Sequence, residues 1–140
     1  DNSSKPGDHG RIRTDFPGGW EGDSINAFRG TNLSKDQKNL QLYLQKVLHF
    51  RKQSSAIHQG ATLHFAPKEG IYALVRSKDQ EKVVLFLNKN PFPVSLDRVH
   101  YEEIGWDNVI IWDVLGEIKA TPETLLQPGV TLWNLTYSNN

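Results

Sequence analysis

The sequence predicts a mainly β protein, an antiparallel β-sandwich preceded by a long loop and a single helix. A Gly- and Pro-rich stretch over 1–32 carries no apolar periodicity, and one amphipathic pattern of helical period follows it. After Gly60 the apolar residues alternate with a period of two, which is typical of strands. We therefore expect two parts, 1–60 and 61–140, divided near Gly60.

The composition excludes several classes of protein. Lys and Arg residues number 16 and Asp and Glu residues number 16, so no net charge attracts nucleic acid or an anionic membrane surface. No apolar run approaches the length of about 18 residues that a membrane-spanning helix needs. The chain has no Cys, hence no disulfide and no thiolate nucleophile, and its 5 His residues lack the spacing of metal ligands. We expect no cofactor, no metal site, no nucleic acid and no membrane partner.

The stretch at the start of the chain predicts a loop that is long for a compact domain, and such loops are usually disordered or functional. The aromatic residues Phe16, Trp20 and Phe28 argue against simple disorder. Trp20 either stacks on the C–H face of a sugar or fills a domain interface. We expect Asp23 to form a turn or to cap a helical turn over 24–28, with a catalytic carboxylate as the alternative.

The residues after this loop have the periodicity of an amphipathic helix. Its apolar positions are Leu40, Tyr43, Leu44, Val47 and Leu48. Ser34 and Gln37 have the spacing of a capping box, and Arg51-Lys52 suits the negative end of the helix dipole. These signals predict a helix over Lys35–Gln53. Because a lone helix of this length is marginal in water, we expect its apolar face to be buried against a partner.

The rest of the chain predicts about seven short strands, as is usual in a sandwich. They cover 61–66, 71–77, 82–88, 92–96, 108–114, 117–120 and 130–137. Trp106, Trp112 and Trp133 lie in this region, and we expect their rings to pack in the core or on a sheet face.

One segment of the loop has a long and specific pattern. The residues from His9 to Asp23 read HGRIRTDFPGGWEGD, and Asn26-Ala27-Phe28 follows. This segment resembles the loop after the eighth strand of the catalytic (β/α)8 barrel in the cyclomaltodextrinase and neopullulanase branch of the α-amylase superfamily, glycoside hydrolase family 13. The predicted helix resembles the eighth barrel helix, and 61–140 resembles the C-terminal antiparallel β domain. The resemblance implies that 1–60 is the end of a truncated barrel.

The resemblance implies that the chain is the C-terminal part of an α-glucan hydrolase, one that cleaves α-1,4 bonds in maltooligosaccharides, cyclodextrins or pullulan. The family's nucleophilic Asp, acid/base Glu and stabilising Asp lie on earlier barrel strands. We therefore expect them upstream of Asp1, and no catalytic residue maps onto this sequence. The absence of Met from the chain fits a piece that begins inside a longer protein. We expect this chain alone to be structural and inactive as a hydrolase.

The candidate substrate-binding residues of the loop are Arg11, Arg13, Asp15 and Trp20. The resemblance implies that they border the substrate cleft, because such barrels carry their chemistry on the face that holds this loop. The arginines have an alternative role in salt bridges that shape the loop.

The resemblance also predicts partners. They are the missing catalytic barrel and, through the whole enzyme, an α-glucan oligosaccharide. Relatives of this branch often form homodimers through an N-terminal domain, so a homodimer of the whole enzyme is a further expectation. The compartment stays open between cytoplasm, periplasm and the cell exterior, within a bacterial polysaccharide-degrading system.

Two alternatives stay open beside this interpretation. In one, the chain is a stand-alone, non-catalytic carbohydrate-binding β-sandwich whose exposed Trp rings form a coplanar platform. In the other, it is a scaffold domain that binds no sugar. A free sandwich does not need the predicted helix, so the helix counts against the first alternative.

Overall fold

The computed structural model describes residues 16–137. The described residues form two compact units, which divide between Leu42 and Tyr43. The two parts expected from the sequence, 1–60 and 61–140, stay a prediction. No helix of the described residues is long and apolar enough to cross a membrane.

The first helix, α1, spans Lys35–Gln53, so the predicted helix is confirmed. A capping box forms its start: the Gln37 N–H donates to Ser34 Oγ (3.2 Å), and the Ser34 N–H donates to Gln37 Oε1 (2.9 Å). The last turn carries Arg51 and Lys52, whose charges favour the negative end of the helix dipole. Local signals therefore set both ends of this helix.

Six strands form one antiparallel sheet with the order β1-β2-β3-β6-β4-β5. The strands are β1 (Ala61–Lys68), β2 (Ile71–Lys78), β3 (Glu81–Asn88), β4 (Val109–Asp113), β5 (Ile118–Ala120) and β6 (Gly129–Tyr137). β3 lies between β2 and β6 and pairs with both along its whole length. The predicted class, mainly β and antiparallel, is confirmed.

One of the predicted strands is wrong. Residues 92–96 form no strand, and only Val94 pairs, through an isolated bridge with Leu126. Pro91 and Pro93 lack the N–H groups that a continuous ladder would use. The other six predicted strands are present, and their ends differ from the prediction by at most two residues.

One face of the sheet carries the main hydrophobic core. On this face Val75 of β2 lies beside Val84 of β3, and both side chains are buried. Tyr101, Ile104 and Leu126, which lie outside the strands, are buried in the same cluster. The chain between the strands thus covers this face of the sheet.

A short helix, α2 (Ser55–Gln59), covers part of the opposite face, and the sequence does not predict it. Ala56 of α2 is fully buried in a cluster with Val83 of β3 and Leu132 of β6. Phe50, near the end of α1, packs against the same cluster. This second cluster joins the end of α1 to the sheet.

Charged side chains from the sheet hold both ends of α2. The Glu81 carboxylate accepts hydrogen bonds from Ser54 Oγ (2.8 Å) and from the Ala56 N–H (3.0 Å). At the other end, Arg76 donates to the carbonyls of Ala56 (3.3 Å) and Ile57 (3.0 Å). A negative charge at the start of a helix and a positive charge at its end both favour the helix dipole. The sheet therefore stabilises a helix too short to form alone.

Replacing Glu81 with Ala leaves the Ala56 N–H without this acceptor. We expect the free energy of unfolding to fall by about 1 to 3 kcal/mol, the usual cost of an unpaired buried polar group. Urea unfolding of the 140-residue chain measures the change. Glu103→Ala is the control, because Glu103 is exposed and its carboxylate has no hydrogen-bond partner among residues 16–137. An equal loss in both variants would contradict a specific role for Glu81.

Candidate functional site

The loop before α1 is closed by its own hydrogen bonds. Asp23 Oδ2 accepts from the N–H groups of Gly18 (2.8 Å) and Trp20 (3.2 Å). The Asp23 N–H donates to the Trp20 carbonyl (3.4 Å), and the Gly19 N–H donates to the Phe16 carbonyl (3.3 Å). Each backbone N–H from Gly18 to Trp20 thus has a partner within the loop.

Asn26 fixes the base of this loop. It forms an antiparallel bridge with Thr31, and its Oδ1 accepts from the Arg29 N–H (3.0 Å). Gly18 has a φ of +95°, and a Cβ at this position would lie 2.6 Å from Asn26 Cγ. Both the positive φ and the close approach require glycine here.

The loop presents exposed aromatic rings around a shallow recess. Trp20 is 71% exposed, and Phe16 packs edge to face on Phe28 with ring centroids 5.2 Å apart. The recess has a volume of about 240 Å³ and is lined by Phe16, Pro17, Trp20, Asp23, Ser24 and Ile25. A sugar offers a C–H face and several hydroxyl groups, so an aromatic ring beside a carboxylate and a hydroxyl suits it chemically.

The described residues include one of the four candidate substrate-binding residues. Arg11, Arg13 and Asp15 lie outside residues 16–137, so their roles stay predictions. Trp20 lies in the described loop, and its ring is in solvent.

The prediction that Asp23 caps a helical turn over 24–28 is wrong, because no helix forms there. The turn role that we expected as the other structural option is confirmed, and the N–H groups that Asp23 binds come before it in the chain. Sequence reasoning missed these partners because an Asp carboxylate can bind backbone N–H groups on either side of it. The sequence carries no local signal that marks Gly18 and Trp20 as these partners.

The apolar stripe of α1 lies in solvent. No residue of α1 is buried, and Leu40, Leu44 and Leu48 are 60%, 49% and 56% exposed. The described residues therefore do not supply the partner that we expected for this face. Contiguous exposed apolar surface is typical of an interaction surface.

The three Trp residues of the sheet region do not form a platform. Trp133 is fully buried, and Trp106 packs half-buried against the main core. Trp112 is exposed, on the sheet face opposite that core, where it pairs with Lys119 and Asn134. The coplanar row that a stand-alone sugar-binding sandwich would use is absent from residues 16–137.

Several acidic side chains outside the loop form ion pairs. Asp97 Oδ2 lies 2.7 Å from Lys68 Nζ, and the hydrogen bond from Lys68 holds the pKa of the Asp97 carboxyl below its usual value. Glu123 pairs with Arg98 at 3.2 Å. Within 16–137, no group of three His, Asp or Glu side chains is placed to hold a metal ion.

Comparison with known families finds a match within the sheet region. Residues 62–127 match the model of a family described as the cyclo-malto-dextrinase C-terminal domain. The match begins in β1 and ends between β5 and β6. Over these residues, the match confirms the resemblance to a cyclomaltodextrinase-type C-terminal domain.

Solved structures share this fold. AmyP in complex with maltose is 17% identical with a TM-score of 0.59, over 79% of this chain and 24% of that chain. An Anoxybacillus α-amylase is 16% identical with a TM-score of 0.57, over 86% of this chain and 26% of that chain. The α-amylase of Geobacillus thermoleovorans in complex with acarbose is 16% identical with a TM-score of 0.56, over 77% and 24%. The chain thus spans about a quarter of each of these proteins.

Proposed function

We propose, from the premise that this chain carries the C-terminal domain of an α-amylase-family glycoside hydrolase, that the whole protein cleaves α-1,4-glucosidic bonds in maltooligosaccharides, cyclodextrins or pullulan. Two observations support this substrate class. The matching family is described by the name of a cyclodextrin-degrading enzyme. AmyP has been crystallised with maltose and, as an E221Q variant, with maltotriose, and both ligands are short α-glucans.

The exposed stripe on α1 is the observation that carries the proposal of a missing barrel. Burying one Leu side chain stabilises a protein by about 1.5 to 3 kcal/mol. Burial of the exposed apolar side chains of α1 against a neighbouring domain would therefore add substantially to the stability of the whole protein. We assign this role to the catalytic barrel, with α1 as its last helix and the β domain covering one side of it.

The catalytic carboxyl groups belong, in this proposal, to the part of the protein that precedes Asp1. Glycoside hydrolysis of this class needs one carboxylate to attack and one carboxylic acid to donate a proton across the scissile bond, about 5 Å apart. Asp23 is bound to two backbone N–H groups of its own loop. Asp97 is bound to Lys68, so both carboxylates already have structural partners.

The 140-residue chain alone should release no reducing sugar from maltoheptaose or pullulan, since in this proposal the carboxyl pair lies upstream of Asp1. A reducing-end assay measures this, with the full-length protein as the positive control and a heat-unfolded sample of the chain as the blank. Release by the folded chain above the blank would contradict the proposal.

We further propose that the loop borders the substrate cleft, with Trp20 stacking on a glucosyl ring and with Arg11, Arg13 and Asp15 beside the same cleft. The support is the exposure of the Trp20 ring and the recess beside it, which has room for the edge of one sugar. The recess is smaller than the roughly 300 to 1,000 Å³ of enclosed ligand pockets. It therefore suits one ring of a longer oligosaccharide held mainly by the rest of the cleft.

Replacing Trp20 with Ala in the full-length enzyme should weaken oligosaccharide affinity by about 1 to 2 kcal/mol, because the stacking surface is lost. Calorimetric titration with acarbose, a pseudo-oligosaccharide that resists hydrolysis, measures the affinity. Trp112→Ala is the matched control, since Trp112 is an exposed Trp of the sheet.

Each outcome has a distinct meaning. Unchanged affinity with lower stability in Trp20→Ala would assign Trp20 to a domain interface. A loss of affinity in Trp112→Ala alone would favour the stand-alone binding module.

A further inference from the structure

The chain around Trp20 has few side chains that can fix its course. Gly18 and Gly19 precede Trp20. Gly22 follows it with a φ of +90°, and a Cβ at this position would have no atom within 4 Å. Because glycine loses more conformational freedom on folding than any other residue, such a segment needs a restraint to hold one conformation. Asp23 supplies the restraint, since one carboxylate oxygen binds the N–H groups on both sides of Gly19.

The same residue also holds the other polar group of the Trp20 backbone. The Trp20 N–H donates to Asp23 Oδ2 (3.2 Å), and the Trp20 carbonyl accepts from the Asp23 N–H (3.4 Å). The indole ring itself remains in solvent. The backbone beneath the ring is therefore fixed before any ligand arrives, which reduces the ordering cost of binding.

We propose that Asp23 is a positioning residue, whose carboxylate sets the place of the Trp20 ring so that the ring can stack on a glucosyl unit of the substrate. The inference rests on the proposed function, because it takes Trp20 to contact an α-glucan. Asp23 acts through the backbone and neither gives nor takes a proton. What it must provide is an acceptor oxygen at a fixed place, and a negative charge at a different distance does not replace it.

A role limited to fold stability would give a different kinetic pattern. Loss of stability lowers the amount of folded enzyme, and so lowers apparent kcat, while KM for the folded fraction is unchanged. Misplacement of a substrate-contacting ring raises KM instead. The ratio of the two effects separates a positioning role from a merely structural one.

Steady-state kinetics of the full-length enzyme on maltoheptaose test the inference. Asp23→Ala removes the acceptor, and we expect KM to rise by roughly threefold to tenfold with kcat changed by less than about twofold. Asp23→Asn keeps an oxygen at the same distance and should retain a KM near that of the wild type. Asp23→Glu keeps the charge but moves the oxygen by one methylene, so its KM should rise. Glu21→Gln, at an exposed neighbouring residue, is the control that should change neither constant.

Asp23→Glu and Asp23→Asn decide the test if Asp23→Ala does not fold. A KM equal to that of the wild type in both Asp23→Ala and Asp23→Glu, or in Asp23→Glu when the Ala variant is unfolded, would overturn the inference. A rise of KM in Asp23→Asn with none in Asp23→Glu would also overturn it, because charge would then matter and acceptor position would not.

A double variant separates this inference from the proposed function. In a Trp20→Ala background, Asp23→Glu should raise KM no further, since there is no ring left to position. A rise as large as in the wild-type background would assign Asp23 another role and overturn the inference while leaving the sugar contact intact. An unchanged KM in Trp20→Ala alone would refute the sugar contact, and the inference with it, before Asp23 is altered.

Discussion

The apolar stripe along α1 is the constraint on which the account of this chain depends. A helix with Leu40, Leu44 and Leu48 on one face cannot contribute much stability while that face is in water. The sheet, by contrast, buries its apolar side chains: Val84, Phe86 and Trp133 are fully buried in the main core. The described residues provide no partner for this stripe, and the proposed catalytic barrel, with α1 as its last helix, would cover it.

The link between helix and sheet follows from a second constraint, the polar ends of α2. Five residues make too few hydrogen bonds to hold a helix by themselves. Glu81 and Arg76 bind its two ends from neighbouring strands, and Ala56 fits against the sheet between them. This arrangement attaches the end of α1 to the β domain, so it would hold the β domain against the proposed barrel.

Local signals explain which elements could be predicted. The ends of α1 follow from Ser34, Gln37 and the helical apolar period, and β2 and β3 follow from apolar runs bounded by turn residues. α2 was missed because the residues that stabilise it come from distant strands. The strand predicted over 92–96 was wrong because Pro91 and Pro93 interrupt the ladder, and only Val94 forms a bridge. In the candidate site, Trp20 was found from its position after a Pro-Gly-Gly turn. The bonds of Asp23 depend on how the loop folds back, which no spacing rule specifies.

The intact mass of the native gene product in its source cells, detected with an antibody against this chain, tests the central claim most directly. The chain has a mass of 15.9 kDa. If it is the C-terminal part of a multidomain hydrolase, the native product runs at several times that mass, and its catalytic carboxyl groups lie upstream of Asp1. A native product near the mass of the chain itself would contradict the account, because such a protein would have no barrel to cover α1.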